Sequence, residues 1–88
     1  MRVLYQCALP PRSSSYSEII RFLIQSLHPE EQDLMEFLVG CLNYCYRFNG
    51  LTDAQSSAID KIYSNILLSL RCQFPECYAR HFQGGVNV

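Results

Sequence analysis

Charge is scarce in this 88-residue chain. Asp, Glu, Lys and Arg make up 17% of it, against roughly a quarter in ordinary soluble domains. Seven bases face eight acids, for a net charge of −1. The basic excess that marks most nucleic-acid binders is therefore missing. Nor is the chain acidic enough to imitate a nucleic acid. Lysine is almost absent: Lys61 stands alone against six arginines. Arginine over lysine suits interfaces, because the guanidinium is weakly hydrated and forks onto its partners.

Long apolar runs are also missing. Gln6, Pro10 and Pro11 interrupt the start at Met1-Arg2-Val3-Leu4, so no secretory leader is expected. No segment nears the ~20 apolar residues of a membrane span. The five cysteines (Cys7, Cys41, Cys45, Cys72 and Cys77) are odd in number. Without a leader they are expected as free thiols in reducing cytoplasm.

Catalytic signatures are missing as well: there is no Gly-rich phosphate loop, no HExxH and no GxSxG. Only His28 and His81 are available to serve a thiol as base. His28 precedes Pro29 at a helix boundary, and His81, beside Arg80 and Phe82, reads as a surface residue. Glu30, Glu31, Asp33 and Glu36 read as a solvated helix start, where the positive end of the dipole favours them. With no set of nucleophile, base and stabiliser, the expectation is a non-enzyme without a cofactor.

What is present is apolar side chain, 49% of the residues. A chain this short is one domain and buries only about 60–65% of its unfolded surface. It holds more apolar surface than it can hide alone, so a homo-oligomer or a stable protein partner is expected.

The apolar spacing predicts helices. Residues 1–15 read as an arm and linker, with 1–9 extended on the helices or donated to another chain. Ser15 and Glu18 have the form of a capping box. Tyr16, Ile19, Ile20, Leu23 and Leu27 then share a helical face, widened by Phe22 and Ile24. His28-Pro29 ends that helix, and Pro29 is placed to open a second one. The second runs to about Phe48 and is apolar almost all round: Leu34, Leu38, Cys41, Leu42 and Cys45 on one face, Met35, Val39 and Tyr46 on another, with Phe37, Tyr44 and Phe48 between them. It is either central in the fold or has one side turned to a partner. Asn49-Gly50 closes it with left-handed backbone. Thr52 and Gln55 cap a third helix over roughly Asp53–Gln73, with a core stripe of Ile59, Ile62, Tyr63, Ile66, Leu67 and Leu70. Pro75 stops it, and one or two more turns fit within Glu76–Phe82. Residues 84–88 read as a tail. The expected fold is all-α: a compact three-helix bundle, with room for a short fourth helix, over residues 16–83.

Three constellations bear on function. Tyr44, Tyr46, Arg47 and Phe48, and secondly Tyr78, Arg80 and Phe82, have the composition of protein-binding anchors. Helix, turn, then Leu-Thr-x-x-Gln also has the outline of a helix-turn-helix, which would use Gln55, Lys61 and Arg71 on nucleic acid. Arg12, Arg47, Arg71 and Arg80 would have to gather to hold phosphates. Cys41, Cys45, Cys72, Cys77 and His81 are the residue types zinc takes, but the C-x2-C knuckles common in zinc sites are absent.

Leu51-Thr52-Asp53-Ala54-Gln55, with Ile59 and Ile62 in register behind it, resembles small helical accessory proteins of phages and mobile elements. The match spans about fifteen residues. It implies a compact domain that blocks a surface of a host or viral protein, as anti-CRISPR inhibitors do, and it carries over no functional residue. The expectation from the whole chain is a non-catalytic module that docks on a protein, with nucleic-acid binding as the alternative and zinc stabilisation third.

Overall fold

The computed structural model describes residues 4–6, 8, 10, 11 and 15–79. It is an all-α bundle of α1 (Tyr16–Ser26), α2 (Gln32–Phe48) and α3 (Asp53–Gln73), followed by a short α4 over residues 75–79. Pro75 does two jobs at that joint. It cannot continue α3, yet its fixed φ and missing N–H suit the first position of α4.

The shortest of the three long helices is the central one. α1 packs against both α2 and α3, whereas α2 and α3 barely touch. Ile19, Ile20, Phe22, Leu23 and Ser26 of α1 are all buried, and so is Leu27 just beyond it. That wide apolar arc meets Leu38 and Cys41 of α2 and Ile59, Ile66 and Leu70 of α3 in one core. The Phe22 ring meets Tyr63 edge-on, with centroids 5.9 Å apart. Tyr16 ties the two helices at the other end, its hydroxyl donating to the Asp60 carboxylate at 3.2 Å. Because α2 and α3 both lean on α1, the molecule is flattened, 36 × 32 × 16 Å.

The N-terminal arm lies on these helices. Leu4 and Ala8 are buried in the core. The Leu4 N–H donates to Gln73 Oε1 at 2.9 Å, and the Tyr5 N–H donates to the Ser26 carbonyl at 2.9 Å. The Tyr5 ring stands edge-on to His28, 5.4 Å between centroids. The arm thus bridges the C-terminal ends of α1 and α3.

The joints depart from expectation in places. Ser15 precedes α1 but makes no side-chain cap; its hydroxyl pairs with that of Ser17 at 2.9 Å instead. A neighbouring hydroxyl has outcompeted the reciprocal Ser15–Glu18 box. Pro29 does not open α2. Pro29 and Glu30 form a turn that redirects the chain, closed by the Glu31 N–H donating to the His28 carbonyl at 3.0 Å. The helix begins only at Gln32. At the next joint Asn49 alone takes the left-handed conformation, φ 56° and ψ 40°, which its short polar side chain tolerates. The Thr52–Gln55 box forms in full: the Gln55 N–H donates to Thr52 Oγ1 at 3.1 Å, and the Thr52 N–H to Gln55 Oε1 at 3.0 Å.

Two serines lie in the core. Ser26 is satisfied, its hydroxyl donating to the Phe22 carbonyl at 2.9 Å. Ser69 is fully buried, and its hydroxyl has no hydrogen-bond partner among the described residues. A stranded buried hydroxyl costs about 1–3 kcal/mol, and alanine is the better helix former. Ser69→Ala is therefore expected to stabilise the protein by about 1 kcal/mol, read as a higher urea midpoint at unchanged slope. A lower midpoint would mean that the hydroxyl is satisfied in solution.

Candidate docking surface on the second helix

α2 has one neighbouring long helix, and the consequence is visible along its outer side. Only Leu38 and Cys41 are fully buried. Leu34, Met35 and Leu42 lean partly on the core. Phe37, Val39, Tyr46 and Phe48 are exposed, the last two by 55% and 59%. The expectation of a central second helix does not hold, because α1 occupies the centre.

The exposed residues form two edges, not one patch. Successive residues turn by about 100°. Phe37, Tyr44 and Phe48 therefore fall in one row, while Val39 and Tyr46 fall across the helix from it. Contacts agree with this division. The Tyr44 and Phe48 rings lie 4.5 Å apart at 41°, and the Arg47 guanidinium sits 5.5 Å over the Phe48 ring. Tyr46 instead faces α1: Arg21 lies 5.8 Å over its ring, and Tyr46 borders a depression shared with Ser15, Ser17, Asn49 and Gly50. The expected four-residue anchor Tyr44–Tyr46–Arg47–Phe48 is thus corrected. Three of its members stand together and Tyr46 lies on the other edge. Phe37, missed as an anchor, joins the first row. Its spacing of seven from Tyr44, two helical turns, was the signal.

Of the second expected cluster, Tyr78 packs half-buried against the core, while Arg80 and Phe82 lie outside the described residues. The nucleic-acid candidates do not converge. Gln55 is occupied in the α3 capping box. Lys61 and Arg71 are exposed, but the three residues point to three different sides of α3 at about 100° per residue. α2 and α3 also lack the mutual packing that holds a helix-turn-helix together.

The cysteines do not assemble either. Cys41 is buried, Cys45 half-buried and Cys72 exposed, all three as free thiols. Burial pushes the Cys41 thiol up from its usual range, which disfavours the thiolate that a metal or a nucleophilic role requires. Cys77 is disulfide-bonded, which corrects the expectation of free thiols throughout and removes it as a zinc ligand. Its partner is none of the three free thiols; Cys7 and His81 lie outside the described residues. Among the described residues no group of three or more His, Cys, Asp or Glu is placed to hold a metal ion. No helix among them is long and apolar enough to cross a membrane.

Neither a protein-family model, nor a curated protein, nor a solved structure matches this chain.

Proposed function

We propose that the protein is a non-catalytic module that docks on protein through the Phe37–Tyr44–Phe48 row of α2, with Arg47 at its end. The observation that supports this reading is the alignment of three aromatic rings in register, Phe37 and Phe48 exposed and Tyr44 half-buried, on a helix with one neighbouring long helix. Aromatic residues and arginine carry most binding energy where proteins meet. Contact of this kind works by occlusion or recruitment and needs no reacting groups. A cytoplasmic setting accords with three thiols remaining free, and the Cys77 disulfide weighs against it. An accessory or inhibitory role for a phage or mobile element is the setting implied by the Leu51–Gln55 resemblance.

The test is affinity capture from native lysate with and without nuclease, using the wild type, Tyr44→Ser/Phe48→Ser and Lys61→Glu/Arg71→Glu. The expected result is a protein recovered equally in both arms, lost with the first variant and kept with the second. Recovery that vanishes with nuclease, or with the second variant alone, would move the function to nucleic acid.

A further inference from the structure

Gly40 sits in the middle of α2 without any reason internal to the fold. A Cβ placed there would meet nothing within 4 Å among the described residues, and Gly40 has an ordinary helical backbone rather than positive φ. Glycine inside a helix is less favourable than alanine. What glycine does permit is the close approach of another backbone.

The residues around Gly40 say which backbone. Asp33 lies seven residues before it and Arg47 seven residues after, so all three share one side of α2 at two-turn spacing, about 10.5 Å per step. Phe37 and Tyr44 alternate with them. The row Asp33, Phe37, Gly40, Tyr44, Arg47 has the alternating four and three spacing of a helix-pairing seam. It is also self-complementary. If a second α2 crosses antiparallel at Gly40, residue 33 of one copy falls opposite residue 47 of the other, twice. Glu36 likewise falls opposite Tyr44, a carboxylate facing a phenol. Asp33, Gly40 and Arg47 are all exposed, and neither Asp33 nor Arg47 forms an ion pair among the described residues.

We infer that the occupant of this surface is a second copy of the chain, joined by a two-fold antiparallel α2–α2 pairing centred on Gly40. Such an interface uses the same patch twice and closes on itself. The inference rests on the docking reading above and names its partner.

The test is sedimentation equilibrium without reductant, with non-reducing denaturing electrophoresis to exclude a disulfide-linked pair. The wild type is expected to dimerise. Asp33→Arg alone and Arg47→Asp alone each place like charges opposite one another and are expected to raise the dimer Kd at least about tenfold. Asp33→Arg/Arg47→Asp is expected to restore it. That rescue cannot come from a firmer helix, since both changes oppose the helix dipole. Gly40→Leu, which obstructs the crossing while favouring helix, is expected to give monomer with unchanged circular dichroism. A wild type that stays monomeric, while Tyr44→Ser/Phe48→Ser still abolishes capture of another protein, overturns the self-pairing and leaves the docking reading standing. A dimer indifferent to all these variants overturns the α2 pairing. If capture is also unaffected by Tyr44→Ser/Phe48→Ser, the docking reading falls with it.

Discussion

Leu23→Ala is expected to lower the stability of the protein by about 3 kcal/mol or more, the cost of a large cavity with little room to collapse. Leu23 has no exposed surface and lies on α1, the helix on which both others pack. A domain of this size is stable by about 5–10 kcal/mol in total, so a single such change removes a large share. The comparison that gives the number meaning is Leu68→Ala. Leu68 is the same residue type, but 53% exposed on the outer side of α3, and it is expected to matter by less than about 0.5 kcal/mol. Urea unfolding followed by circular dichroism reads both. A loss below about 1 kcal/mol for Leu23→Ala would mean that α1 is not the centre of the core.

Reduction is expected to be nearly as damaging. Cys77 lies in α4, close in sequence to Gln73, which holds the arm at Leu4. A disulfide typically contributes about 2–4 kcal/mol by restricting the unfolded chain. In a chain of this length that corresponds to a fall in Tm of about 10 °C or more. Treatment with a dithiol reductant should produce this fall, and Cys77→Ser should show it without reductant. Cys72→Ser should not, because Cys72 is an exposed free thiol. Alkylation of the unfolded but unreduced protein should label Cys41, Cys45 and Cys72 and spare Cys77. An unchanged Tm on reduction, with Cys77 labelled, would contradict this account.

Most of the fold was legible because it is written in local signals. The Thr52–Gln55 box and the Ile59–Leu70 stripe placed α3 at its observed limits, and Asn49 closed α2 where its αL tolerance predicts. What was not legible depends on contacts between distant residues. Nothing local says that the eleven-residue α1, rather than the more apolar α2, would take the centre. That choice turns on α1 presenting Ile19, Phe22, Leu23 and Ser26 over a wider arc than α2 presents. The Cys77 disulfide was equally hidden, because pairing is set by the fold rather than by spacing. Helical spacing already separated Tyr46 from the Phe37, Tyr44 and Phe48 row, but which of these residues α1 leaves uncovered follows only from the packed structure. The import of Gly40 required knowing that, among the described residues, an added Cβ there would meet nothing within 4 Å.

Hydroxyl-radical footprinting of Phe37, Tyr44 and Phe48 over a dilution series without reductant, with Tyr5 as the control, tests the pairing of α2 with a second copy. Tyr5 is 55% exposed and lies on the arm, its N–H on the Ser26 carbonyl and its ring against His28. The account predicts that oxidation of the three α2 rings falls as concentration rises, while that of Tyr5 stays constant. Oxidation of the three α2 rings that stays constant across the dilution series would contradict it.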